Sequence, residues 1–263
     1  MNQSISIIMK KVQISSQIAF VGETAELCAL LADELEALIR ERAQAGKKAV
    51  LGLATGSTPI PLYEELIRRH RDEGLSFANV VSFNLDEYEG LGRDHERSYW
   101  ATMQRNIFDH VDIEAENVFV PPSIYEDAEA VSEEYEEQIR EAGGIDWQLL
   151  GIGGEGHIGF NEKGSSLDSR TRRVELARKT IEDAAKKFGD EEKVPRHAIS
   201  MGVGTILEAK RVVLLAWGES KREIVHRAMT EKPSAEVPAS FLQFHGNADW
   251  FLDHDASTYS PDV

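Results

Sequence analysis

Three uninterrupted apolar runs in this chain stop abruptly at glycine: AVLGLAT (Ala49 to Thr55) at Gly56, WQLL (Trp147 to Leu150) at Gly151, and VVLLAWG within its own last residue, Gly218. Runs without polar alternation read as strands buried on both faces. VVSFNLDEY, Val80 to Tyr88, is a further strong strand. Weaker ones are expected around Lys11 to Phe20, at Val118 to Val120, from His197, and in ADWFLDHDA near the end.

Helical patterns stand between them. Leu27, Leu30, Leu31, Leu35 and Leu38 recur at three- and four-residue steps, and that helix should stop near Gly46. PLYEELIRRH, Ser98 to Phe108, Asp127 to Glu141, ESKREIVHRAM and the short PASFLQFH follow the same reading. Alternating strands and helices predict an α/β fold with a Rossmann-like, mostly parallel sheet flanked by helices. With no repeat, low-complexity tract or linker, residues 1–263 read as a single domain. ARKTIEDAAKKFGDEEKVP, 177–195, is polar with few anchors and reads as a helical lid. A frayed start and a loose last eight residues complete the chain.

Composition narrows the partners. A net charge of −17, from 46 acids against 29 bases, argues against nucleic acid and anionic membrane. It makes Arg170, Arg172 and Arg173, a local basic cluster in GSSLDSRTRRVEL, informative. The one cysteine, Cys28, lies among leucines and reads as a core thiol. No apolar run approaches the ~20 residues of a membrane span, and MNQSISIIMKKVQ lacks signal-peptide order. A cytoplasmic protein is expected.

The chemistry concentrates at the strand ends, where open parallel sheets bind ligands. GIGGEGHIGFNE, Gly151 to Glu162, places Glu155, His157 and Glu162 after a glycine turn. A histidine flanked by carboxylates can be held in one tautomer and made a better base. Gly56, Ser57 and Thr58 form either an anion site at a helix start or an ordinary capped turn. Asp86, at the end of VVSFNLDEY with Glu87 beside it, is a candidate general base. Lys221 opposes a helix dipole in a first turn, which suggests a hold on an anion. No metal-ligand spacing and no cofactor motif is visible, so neither metal nor cofactor is expected.

Together LGLATGSTP, FNLDEY, SYWATMQRNIFDHVDI, GIGGEGHIGFNE with SSLDSRTR behind it, and MGVGTILEAKRVVLLAWGESK resemble the glucosamine-6-phosphate deaminase family in order and spacing. The resemblance covers the chain from about Ala49 to the last strand. It implies isomerisation of glucosamine 6-phosphate with loss of ammonia, giving fructose 6-phosphate. It puts the proton-transferring acid on Asp86, the ring-opening base on His157 and a second ring-opening acid on Glu162. Glu155 stands where the family has Asp or Asn. The GSTP loop and Lys221 match its phosphate-binding groups, and by counting Lys186 stands where the lid has an arginine. Ser165 and Arg172 match an allosteric site whose lysine is replaced here by Val174, so a monomer or low-order oligomer without the usual control is expected. The rival readings are a 6-phosphogluconolactonase-like hydrolase, a non-catalytic sugar-phosphate sensor, and a deaminase or isomerase for another amino-sugar phosphate such as galactosamine 6-phosphate.

Overall fold

The apolar runs assemble into one sheet, and the carboxyl ends of its central strands open toward one cleft. The structure, a computed structural model, describes residues 9–14 and 17–258. The first half holds β1 (Lys10–Ile14), β2 (Gln17–Val21), α1 (Thr24–Gln44), β3 (Ala49–Leu53), α2 (Ile60–Glu73), β4 (Val80–Asn84), β5 (Asp86–Tyr88), α3 (Tyr99–Asn106), β6 (Val118–Phe119) and α4 (Ala128–Glu141). The second half holds β7 (Trp147–Gly151), β8 (Arg172–Glu175), α5 (Arg178–Phe188), β9 (His197–Ser200), α6 (Val203–Leu207), β10 (Val212–Ala216), α7 (Arg222–Thr230) and β11 (Ala248–Leu252). PASFLQFH forms a 3-10 helix, Pro238–Phe244.

Eight strands form the main sheet in the order β1-β2-β11-β10-β7-β3-β4-β6. Every pairing from β2 to β6 is parallel. β3, β4 and β10 are buried at every position, as uninterrupted apolar runs require when helices cover both faces. α1 packs Leu27, Leu31 and Leu35 into the core, with Leu30 and Leu38 partly buried beside them. Cys28 lies in the same seam, where burial first and Glu65 second push its thiol up to about 12.

Two expectations are corrected. The stretch around Lys11 to Phe20 is not one strand but two, β1 and β2, paired antiparallel from Lys10↔Val21 to Ile14↔Gln17. β1 is a half-exposed edge strand. The loose start and end expected from the sequence fall largely outside the described residues.

The second correction matters for chemistry. VVSFNLDEY is not continuous: the Leu85 N–H still donates to Leu53 O at 3.2 Å, while its carbonyl accepts from Met201 N–H at 2.7 Å. There the chain leaves the main sheet. Asp86–Tyr88 then pairs with β9, and β9 with β8, in a separate antiparallel sheet ordered β5-β9-β8. β8, unforeseen in the sequence, is its exposed edge. The 177–195 stretch is the excursion between β8 and β9. It forms α5 and a 3-10 turn, and seats Ile181 and Val194 in a small apolar cluster with Tyr88, Phe160 and Leu176.

Candidate active site

A cleft of about 670 Å³ opens at the carboxyl ends of β3, β7 and β10, in the size range of small-ligand sites. Ser57 and Thr58, Asp86, His157 and Lys221 line it from below, and Thr180, Lys187 and Phe188 of α5 cover it. Phe188 meets the edge of the Tyr88 ring at 5.6 Å and 87°.

Asp86 and Glu87, adjacent in sequence, take different tasks. Glu87 accepts the N–H groups of Tyr88, Tyr99 and Trp100 at 2.8, 2.9 and 2.9 Å, which ties it to the start of α3. Asp86 faces the cleft, 6% exposed, and among the described residues no hydrogen bond or cation reaches its carboxylate. Burial, with Glu87 as a smaller cause, pushes its pKa up to about 8. Gly159 lies against it at φ +55, and a side chain there would place its Cβ 3.3 Å from Asp86 Oδ2.

His157 is held by the glycine turn. Its ring lies over the backbone of Gly153, where a Cβ would fall 2.0 Å from Nε2. The turn is closed by Gly153 N–H donating to His157 O at 2.9 Å. Nδ1 is 3.1 Å from Glu162 Oε2, though off the line of the ring N–H. Burial raises the Glu162 pKa, but the His157 contact and a hydroxyl of α5 outweigh it and leave the carboxyl below its usual value. That hydroxyl is Thr180 Oγ1, which donates to Glu162 Oε1 at 2.5 Å. Only one carboxylate therefore serves His157. Glu155 is exposed, stands outside the cleft lining, and acts electrostatically on Lys179.

The cationic end is built from two junctions. Lys221, at the start of α7, donates from Nζ to Ile152 O at 2.7 Å, and burial lowers its pKa. The GSTP loop is fastened by Trp217 Nε1, which donates to Thr58 O at 2.8 Å. Lys186 is corrected: its side chain is 77% exposed, paired with Asp183 at 3.0 Å, and not part of the cleft wall. The next residue, Lys187, lines the cleft instead.

The family model described as glucosamine-6-phosphate isomerases/6-phosphogluconolactonase matches residues 22–250. The chain belongs to this family. A glucosamine-6-phosphate deaminase of Corynebacterium kroppenstedtii is 51% identical over 80% of this chain and 81% of its own. One from Shewanella woodyi is 46% identical over 92% and 90%. A monomeric glucosamine-6-phosphate deaminase of solved structure is 40% identical, with TM-score 0.87, over 90% of this chain and 98% of its own. The 6-phosphogluconolactonase of Thermotoga maritima shares the fold, at TM-score 0.69 and 20% identity over 89% and 98%.

Within this deaminase-family frame the basic cluster is already engaged. Arg170 pairs with Glu136 and Glu208, and Arg173 with Glu89. Arg172 is half-buried without a carboxylate and donates to Asn161 Oδ1 at 2.9 Å and Ser165 Oγ at 3.1 Å. It stands in register with Ser200 and, through it, with Asp86. Ser200 Oγ accepts the Phe160 N–H at 3.0 Å. The loop after His157 is thus fastened across the sheet row that carries Asp86. A second groove, of about 960 Å³ beside α4, takes in Arg172 but none of the residues around Asp86 and His157.

Sequence reading missed Thr180, Lys187 and Ser200. Their signal is weak: a hydroxyl or a lysine in a polar stretch says nothing of which way it faces. Among the described residues no group of three or more His, Cys, Asp or Glu could hold a metal ion, and no helix is long and apolar enough to cross a membrane.

Proposed function

We propose that this chain converts glucosamine 6-phosphate to fructose 6-phosphate and ammonia. The observation that carries the reading is Asp86, a buried carboxylate facing the cleft without a cation among the described residues. An amino sugar brings its own ammonium to C2, where it compensates that charge. A lactone brings none.

Lys221, Ser57, Thr58 and the Gly56 turn receive the phosphate, and this binding energy orients the small sugar. His157, with Glu162 behind it, moves the proton that opens the ring. Asp86 takes the C2 proton of the open aldehyde and returns a proton to C1. The resulting C2 imine adds water and expels ammonia, so one water is consumed and no redox change occurs. The deaminase relatives, at 46–51% identity, support this over lactone hydrolysis.

The same reading gives a cytoplasmic enzyme, because a sugar phosphate does not cross membranes unaided. We also propose a monomer or low-order oligomer without cooperative control. Val174 stands in place of the lysine of the family's effector site, which removes one of the charges that would hold a second phosphate. The test is ammonia release from glucosamine and galactosamine 6-phosphates, with 6-phosphogluconolactone hydrolysis run in parallel. Lactone turnover without ammonia would overturn the proposal, and a sigmoidal rate curve would overturn the absence of cooperativity.

A further inference from the structure

α5 lacks an N-terminal cap of its own. Its N-cap is Ala177, no side chain caps it from within, and its first turn holds no acid. Helix starts normally find an acceptor for their free N–H groups. Here the acceptor comes from the catalytic loop: Glu162 feels the Ala177 amide and takes the Thr180 hydroxyl at 2.5 Å through Oε1. Its other oxygen, Oε2, is the one 3.1 Å from His157 Nδ1. One carboxylate therefore joins the first turn of the lid to the histidine.

We propose that Thr180 is a positioning residue, a lid-borne hydroxyl that fixes the Glu162 carboxylate in the rotamer that serves His157. Seating the lid and aligning the pair are then one event. Glu162 is held by burial, by the His157 ring and by the lid turn, and Thr180 supplies the only side-chain hydroxyl bonded to it among the described residues. Ile181 and Phe188 seat α5 by apolar contact, so the hydroxyl is left free for the carboxylate. This inference rests on the proposed assignment of His157 and Glu162 to ring opening.

The experiment compares Thr180→Val, Thr180→Ser and His157→Gln with the parent enzyme on glucosamine 6-phosphate. It also measures binding of 2-amino-2-deoxyglucitol 6-phosphate, which has no ring to open. A hydrogen bond to a charged group supports an expected fall in kcat of about 10- to 100-fold for Thr180→Val. KM should change little, Thr180→Ser should restore most of the rate, and the ring-free analogue should bind within about 3-fold of parent, well inside the tenfold that a lost charged hydrogen bond would cost. Parent-like kcat in Thr180→Val, or no rescue by serine, overturns the inference. So does a loss of analogue binding as large as the loss of rate, because the hydroxyl would then only hold the lid shut. Parent-like activity of His157→Gln overturns the underlying assignment instead, and an impaired His157→Gln beside a normal Thr180→Val overturns this inference alone.

Discussion

Replacing Asp86 with asparagine should cut catalysis steeply and stabilise the protein, and the stabilisation should grow with pH. The sign follows from the raised pKa. A carboxyl that ionises at about 8 in the fold and near 3.9 in the unfolded chain keeps its proton longer when folded. Its contribution to stability is full below about pH 4 and is lost as pH rises through about 8. Between those limits the parent carries a growing penalty that the asparagine, a close mimic of the protonated acid, does not. For a dry site the linkage relation puts that penalty at about 4 kcal/mol at pH 7. The cleft admits water at its mouth, so about half, ~2 kcal/mol, is the working figure. In a chain near this size that is a rise in Tm of roughly 4–8 °C.

Calorimetric Tm values at pH 5.5, 7 and 8.5 would read it. Asp94→Asn, at an exposed position in the loop before α3, is the control for removing one negative charge from an acidic surface. The Asp86→Asn advantage over that control should widen at each step, while activity falls roughly 10²–10⁴-fold. A flat or negative difference would refute the claim that Asp86 is desolvated and uncompensated. The same state should mark the kinetics of the parent. The acid limb of kcat/KM should lie above the ordinary aspartate value and no higher than about 8, and that of kcat lower, because bound ammonium favours the ionised base.

Lys221→Ala should raise KM for the phosphorylated sugar by ~10-fold or more through loss of a charged hydrogen bond. An unchanged KM would remove Lys221 from the phosphate site. Lys187→Ala should also raise KM and Lys186→Ala should not, since only Lys187 lines the cleft; the reverse order would restore Lys186. Gly153→Ala should displace the imidazole that a Cβ would strike at 2.0 Å. It should cost activity at least as much as His157→Gln while lowering stability by about 1–3 kcal/mol, checked by rate and melting curve on one preparation.

What the sequence revealed and what it hid divide on a physical line. AVLGL and VVLLA are apolar at every position, so any register buries them, and their role in a parallel sheet is legible from the residues alone. The break at Leu85 is not, because it depends on Met201, more than a hundred residues further on, offering an N–H to its carbonyl. Which lysine of the 177–195 stretch faces the cleft is hidden for a similar reason. Adjacent helical residues point about 100° apart, so counting cannot choose between Lys186 and Lys187, and only the fold shows Lys187 on the cleft wall with Lys186 outside it. Glu155 looked like a partner of His157 because it stands two residues away, but the glycine turn sends it into solvent. Glu162, five residues on, is returned to the ring by the same loop.

Among the described residues, four carboxylates are buried, and three of them are satisfied. Asp146 meets Arg42 and Lys210 at 2.5 and 2.7 Å and the Val50 N–H at 3.0 Å. Glu136 pairs with Arg170 and accepts two threonine hydroxyls at 2.5 Å each. Glu87 has its three backbone amides. Asp86 alone lacks hydrogen-bonded compensation. A protein interior normally removes such a group or pairs it, and this chain has 29 basic residues with which to do so. Leaving Asp86 unpaired costs stability and gains nothing in the free protein. The arrangement becomes favourable when a ligand supplies the missing charge, and an ammonium one bond from an abstractable proton supplies it where Asp86 can also act as a base.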